Sequence, residues 1–277
     1  MKGAITRDNI EWFEPFMTKP AAELILSGKP VYAVGVCDEK TKVAQGALVA
    51  YYKEKTFHIV SLFVSSSCRR YGCGNELIGD LLADNWLEGT RLEISFSGHN
   101  EETDSLIAFL DYWDFEEEDI SEGEIYEVSL EQAITSEYNK PIKTENVIPL
   151  RECPELILKE LSRKAYDMEL PVPEGGFLAP SLEKNISVVY VQNQKPMGYL
   201  VFDHSLEGRL TLSALASFDN KPYTMAEMLV KAIELCKANY PLDTLFYMQA
   251  INSVSRGLIQ KVFPEATNIS HNYVLMG

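Results

Sequence analysis

Positive charge is scarce in this chain. Against 41 acidic side chains there are only 25 basic ones, a formal charge of −16 over 277 residues. Grip on a phosphate backbone needs clustered Lys and Arg, so the balance argues against a nucleic-acid binder. It tolerates or attracts a cationic amine, and it also serves plain solubility. Histidine is rarer still. His58, His99, His204 and His271 are dispersed, with no second histidine four residues from any of them, so the pattern offers no metal site. The five cysteines, Cys37, Cys68, Cys73, Cys153 and Cys236, are odd in number and lack metal-ligand spacing. They suit neither a disulfide framework nor a zinc site, and a reducing compartment is the simplest reading. Long apolar runs are missing as well. No window approaches the roughly 18 unbroken apolar residues that span a bilayer, and Met1 to Ile10 lacks the apolar core of a signal peptide. The expectation is a cytoplasmic protein without membrane association.

What is present is enough apolar material, 46% of residues, for a core in each of two domains. Short helices are expected at Asn9 to Glu14 and Ala21 to Leu26. Val31 to Val36, Gln45 to Tyr52 and Phe57 to Val64 read as strands joined by polar turns into an antiparallel meander. Leu77, Ile78, Leu81 and Leu82 recur at helical spacing and predict a helix from Asn75 to Leu87. A strand, Arg91 to Phe96, follows. Asn100 then has the character of an N-cap for a second helix with Leu106, Ile107, Phe109 and Leu110 on its apolar face. Glu124 to Leu130 is expected as the strand that closes a first domain, 1–134. A polar linker, 135–146, leads to a second domain, 147–277.

The second half repeats the order of elements. Strands are expected at Val188 to Gln192, Pro196 to Phe202 and Arg209 to Leu215, with turns at Asn193 and at 207–208, and a helix at Thr224 to Ala238. Leu77 falls on Met228 at 228 − 77 = 151, and Gly46 falls on Gly198 at 198 − 46 = 152. Internal duplication is the economical explanation; its alternative is that any two mixed domains slide into partial register.

The segment Leu62-Phe63-Val64-Ser65-Ser66-Ser67-Cys68-Arg69-Arg70-Tyr71-Gly72-Cys73-Gly74-Asn75 runs from strand through loop to helix. Free amides and the dipole at a helix start bind pyrophosphate, glycines let backbone approach a bulky ligand, and arginines add charge at the rim. A P-loop is excluded because Gly74-Asn75-Glu76 stands where Gly-Lys-Ser/Thr is required. A dinucleotide-binding unit is excluded because the preceding strands are hairpin-connected rather than part of a parallel βαβ unit.

Over residues 30–130 this pattern resembles the coenzyme A-binding motif of the GNAT N-acetyltransferase superfamily, Gln/Arg-x-x-Gly-x-Gly/Ala. Arg69, Gly72 and Gly74 fall on its marked positions. The resemblance implies a mixed α/β fold (α+β) of two GNAT-like domains, each a mostly antiparallel sheet flanked by helices, with the second degenerate. It implies an acyltransferase that moves an acetyl group from acetyl-CoA to the amine of a small molecule or amino-acid-derived acceptor, with no metal. The strand backbone at Leu62, Phe63 and Val64 would pair with pantetheine, and the amides of Arg70, Tyr71, Gly72, Cys73, Gly74 and Asn75 would hold the pyrophosphate. A homodimer is allowed. The alternative is a non-catalytic acyl-CoA sensor or scaffold.

The chain departs from the pattern at the general acid. Leu110 stands where the family's tyrosine falls, and Asp114 replaces a glycine. Tyr112 is the nearest candidate acid, although two residues turn a helical side chain by roughly 200°, which equally suits packing beside Trp113. Tyr126 is a further candidate. Cys68 and Cys73 are either small fillers or thiols sensitised by a helix N-terminus. Ser65-Ser66-Ser67 reads as loop and Glu116-Glu117-Glu118-Asp119 as a solvated turn. At the shift of 151 the second half aligns Asn220, Tyr223 and Met225 with the motif positions, and Pro222 lacks an amide donor.

Overall fold

The computed structural model describes residues 1–85, 89–120, 123–136, 142–173, 175–206, 209–219 and 221–277. The chain divides into two compact units, Met1–Ile120 with Ser270–Gly277, and Ser121–Ile269.

The first unit is a seven-stranded sheet in the order β1-β2-β3-β4-β5-β14-β6. Its strands are β1 (Lys2–Ala4), β2 (Tyr32–Cys37), β3 (Ala44–Lys53), β4 (Thr56–Val64), β5 (Arg91–Ser97), β6 (Glu116–Glu117) and β14 (Ser270–Met276). β2, β3 and β4 form the expected meander, and the β3–β4 turn places Glu54 and Lys55 at φ +51° and +65°, the twist a two-residue hairpin needs. One sheet face is covered by helices α2 (Cys73–Asn85) and α3 (Glu101–Tyr112), which bury Leu77, Ile78, Leu81 and Leu110 against Leu92 and Tyr273. The expected end of α2 at Leu87 lies outside the described residues. Asn100 caps α3, its side chain accepting from the amides of Glu102 and Thr103 at 3.0 Å each. Helix α1 (Lys19–Leu26) and two short 3₁₀ turns, Ile10–Trp12 and Glu14–Phe16, lie against the other face over Ala47 and Val49. The 3₁₀ turns stand where the first short helix was expected.

The second unit is a seven-stranded sheet in the order β13-β7-β12-β11-β10-β9-β8. It comprises β7 (Glu124–Ser129), β8 (Val147–Pro149), β9 (Val188–Gln192), β10 (Lys195–Leu206), β11 (Arg209–Ser217), β12 (Leu245–Ala250) and β13 (Thr267–Asn268). Among the described residues its α-helices are α4 (Leu130–Thr135), α5 (Glu155–Asp167), α6 (Pro222–Asn239) and α7 (Ser253–Val262). Residues 207–208, expected as a turn, lie outside the described residues.

The expected boundary is corrected in one respect. β7 does not close the sheet of the first unit but pairs antiparallel with β12, and β14 at the C-terminus pairs antiparallel with β5. The units therefore divide after Ile120 and before Ser270 rather than at 135–146, of which 137–141 lie outside the described residues. Period-2 alternation fixes which face of a strand is apolar but not which sheet receives it, so the exchange was invisible to pattern.

Duplication reappears at the level of single residues. The β3–β4 register leaves Val60 as an extra residue between Ser61 and Ile59, and the β10–β11 register does the same with Ser213, a spacing of 213 − 60 = 153. Gly46 and Gly198 are glycines for one shared reason. A Cβ at Gly46 would sit 2.7 Å from the Phe63 carbonyl oxygen, and one at Gly198 would sit 2.8 Å from that of Ala216.

Candidate functional site

β4 follows β3 over its whole length but follows parallel β5 only from Thr56–Arg91 to Ile59–Ile94. Beyond the bulge at Val60 the two strands continue without a ladder between them, and a gap opens in the middle of the sheet. Ser65 donates its amide to Gln45 on the β3 side, so strand alternation aims the N–H and C=O of Leu62 and Val64 into the gap. The Val64 carbonyl is taken by Arg69 Nε at 3.2 Å, which leaves the Leu62 pair open to the gap.

At the end of β4 the chain turns through Arg70 at φ +67° and Gly72 at φ +88° into α2. The Glu76 amide makes the first bond, to the Gly72 carbonyl at 2.9 Å. The amides of Cys73, Gly74 and Asn75 lie ahead of it with no intrahelical acceptor. The two motif glycines serve different ends. Nothing lies within 4 Å of a Cβ placed on Gly72, so that position is glycine for its backbone angle. A Cβ on Gly74 would meet the Phe109 ring at 3.0 and 3.1 Å, so that glycine lets α3 pack against α2.

The side chains around the loop mostly hold it in place. Arg69 reaches Glu102 at 3.0 Å and lies 5.5 Å over the Phe63 ring, so its charge is paired and it staples β4 to α3. Arg70 is exposed and, among the described residues, has no carboxylate partner, which makes it the open charge at the rim. Tyr71 is 83% exposed. Phe63 is exposed beside Phe16, with ring centroids 6.1 Å apart. Asn75 accepts from Trp113 Nε1 at 3.1 Å. Cys73 donates weakly to Gln45 Oε1 at 3.8 Å; burial first, then the neighbouring Cys68 and Glu76, pushes its thiol up rather than down. A Cys73 thiolate sensitised by the helix start is thus not what this environment produces.

The candidate acids are placed as follows. Leu110 is fully buried in the core under α2, so the helical position of the family tyrosine faces the core. Tyr112 is 72% exposed and meets Trp113 edge-on at 6.4 Å. Asp114 holds φ +58°, the left-handed angle that suits a glycine, so the backbone requirement persists where the residue differs. Tyr126 belongs to the other unit. It is buried on β7, bonded to Glu124 at 3.3 Å and to Gln260 at 3.4 Å, and burial followed by the Glu124 charge raises its hydroxyl.

The structure also brings together residues that sequence spacing left apart. On the sheet face opposite α2 and α3, His58 Nδ1 lies 3.4 Å from Glu93 Oε2 across the last paired stretch of β4 and β5. The imidazole stacks on Tyr51 with centroids 4.9 Å apart. Only the parallel register between β4 and β5 could have revealed this pair.

The second unit repeats the gap, since β11 pairs with β12 only through Thr211–Tyr247 and Leu212–Met248 and then runs on to Ser217. A carboxylate of the chain stands ahead of its helix. Asp219 accepts from Ser217 Oγ at 2.5 Å, from the Lys221 amide at 3.1 Å and from Thr224 Oγ1 at 3.2 Å. Burial works to raise this carboxyl, and these bonds outweigh it and hold it below its ordinary range. A carboxylate of the chain itself thus stands at the start of α6, and Pro222 removes an amide. Of the aligned positions, Asn220 lies outside the described residues. Among the described residues no group of three or more His, Cys, Asp or Glu could hold a metal, and no helix is long and apolar enough to cross a membrane.

In sequence comparisons no family model matches the chain, and no curated protein matches it. Solved structures do match. A tandem GNAT protein from the clavulanic acid biosynthesis pathway is 11% identical with a TM-score of 0.52, over 100% of this chain and 98% of that one. The C-terminal domain of a candidate lysylphosphatidylglycerol synthetase from Agrobacterium fabrum is also 11% identical with a TM-score of 0.52, over 98% and 92%. The chain has the tandem GNAT fold.

Proposed function

We propose that the chain is an N-acetyltransferase that takes its acetyl group from acetyl-CoA and delivers it to the primary amine of a small molecule or amino-acid-derived acceptor. One contrast carries the proposal: the α2 start has amides without intrahelical acceptors beside an open strand edge, whereas ahead of the equivalent α6 the chain's own Asp219 carboxylate takes the Lys221 amide and Pro222 lacks one. Amides of Cys73, Gly74 and Asn75, with Arg70 at the rim, suit a pyrophosphate. The Leu62 N–H and C=O suit one amide of the pantetheine arm, which would align the thioester along β4. The acidic surface balance favours a cationic acceptor.

Calorimetry with acetyl-CoA is expected to give one site per chain. Thiol release over a panel of primary amines is then expected to find a substrate, and Tyr112→Phe to keep turnover within about threefold, because a hydroxyl so exposed has water as its neighbour. A loss of a hundredfold, the scale of a general acid, would reinstate Tyr112. The second reading, an acyl-CoA sensor or scaffold, is favoured by the burial of Leu110. Tight binding with no thiol release on any amine would select it.

A further inference from the structure

The second unit keeps a gap in its sheet, and the groups that line it differ in kind from those of the first. β11 runs on from Leu212 to Ser217 without a ladder on its β12 side. The Phe218 amide bonds to Met197 on the β10 side at 2.9 Å, so strand alternation aims the N–H and C=O of Leu215 into the gap. Across it, the Leu130 amide bonds to the Thr244 carbonyl, which turns the even-numbered β12 residues toward β7 and the Gln249 carbonyl toward the gap. Peptide groups on two facing edges need partners with donors and acceptors along both sides, and an extended peptide has that pattern.

The rim is apolar where that of the first unit is charged. Asn252 caps α7 as Asn100 caps α3, at 252 − 100 = 152, its side chain accepting from the Ser255 amide at 2.9 Å. At the same offset Val254 stands in the place of Glu102, the partner of Arg69, and Ile251 in the place of His99. Val254 is 79% exposed, and Ile251 is exposed beside it in sequence. Tyr223, in the first turn of α6, is exposed as well. All three follow closely on the C-terminal ends of β11 and β12, the ends at which these parallel strands part. Under the last pair of that ladder, Leu212–Met248, lies an apolar cavity of about 30 Å³ that Leu229 and Ile233 also line. The α6 side of the gap is thus apolar and has room to give.

A phosphate is refused here. Asp219 is held by Ser217, Lys221 and Thr224, and Pro222 offers no amide. An occupant must therefore carry amides for the open edges, apolar side chains for the rim, and no anion at the helix start. We propose that the gap between β11 and β12 binds an extended, phosphate-free peptide, which pairs with the Leu215 edge and lays apolar side chains on Tyr223, Ile251 and Val254. This site stands apart from the acetyl-CoA site and does not depend on it.

The test uses the full chain and N-acetylated, C-amidated pentapeptides in which threonine alternates with valine, leucine or phenylalanine. At least one is expected to bind once per chain by calorimetry and to slow amide hydrogen exchange in segment 213–217 but not in 61–65. Saturating acetyl-CoA should leave that binding in place. Phosphorylating the central threonine should weaken it about tenfold or more, and so should Val254→Glu or Ile251→Glu, while Val254→Leu should keep it. Both glutamate variants alter exposed side chains, and circular dichroism confirms that they fold. The proposal is overturned if no peptide binds at about 1 mM, if binding protects 61–65 instead or is displaced by acetyl-CoA, or if folded Val254→Glu and Ile251→Glu both bind as wild type does. Protection of 213–217 by free pantetheine but by none of the peptides would overturn it in favour of a second site for that arm.

Discussion

At the scale of single residues, Gly72 and Gly74 show how one motif carries two unrelated constraints. Gly72 answers to its own backbone, at φ +88° with open space where a Cβ would go. Gly74 answers to a neighbour, the Phe109 ring at 3.0 Å. Gly72→Ala should therefore cost about 1–2 kcal/mol through the left-handed angle alone, whatever stands at position 109. Gly74→Val should cost about 2 kcal/mol by overpacking, and Phe109→Leu should recover part of that. Urea unfolding of both double-mutant cycles checks this. Coupling of roughly 1 kcal/mol is expected between 74 and 109 and none between 72 and 109, and additive behaviour at 74 and 109 would refute the packing role.

At the scale of elements, α2 and α6 hold corresponding places in the two units. Both follow the strand that leaves the gap, and both bury an apolar stripe, Leu77, Ile78 and Leu81 in one, Met228, Leu229 and Ala232 in the other. They differ in where a carboxylate stands: Glu76 lies within the first turn of α2, whereas Asp219 precedes α6 and takes the Lys221 amide. Because Asp219 is held below its ordinary pKa, its contribution to stability is fully present above the unfolded value of about 4 and is lost as pH falls through the lower folded value. Asp219→Asn should accordingly lower the unfolding free energy at pH 7 and flatten its decline in the acid range. Equal slopes for wild type and variant below pH 4 would show that the carboxylate titrates alike folded and unfolded. The variant should not gain a second acetyl-CoA site, since Pro222 still lacks an amide.

At the scale of the whole molecule, the exchange of β7 and β14 ties each unit to chain from the other half of the sequence. β7 brings the buried Glu124 into the second unit, where its carboxylate is met by Arg256, by Asn268 at 3.2 Å and by Tyr126. A fragment of residues 1–134 keeps β7 but loses β14 and every partner of Glu124 except Tyr126. If β7 folded back onto β5, it would bury a carboxylate without its cation; if it did not, the β5 edge would stay open. The fragment is expected to aggregate or to lack a cooperative unfolding transition. A monomer on size-exclusion chromatography with the wild-type Tm would show that the exchange is dispensable.

Much of this was legible in the sequence because it is local. The meander, the periodic stripe of α2, the Asn100 cap and the strand-loop-helix order around Arg69, Gly72 and Gly74 each follow from residues within a few positions of one another. The repeated order of elements was legible too, with Gly46 and Gly198 at 198 − 46 = 152, and each proves to be held to glycine by a close carbonyl of its neighbouring strand. The tertiary structure alone decided which sheet receives β7 and β14, which ring stands over Gly74, that Arg69 is paired with Glu102, and that His58 meets Glu93. Side-chain alternation sets the face of a strand and helical spacing sets the stripe of a helix, but neither names the neighbour. Neighbours are chosen by non-local register and packing, where a contact such as His58 to Glu93 joins residues that no local pattern connects.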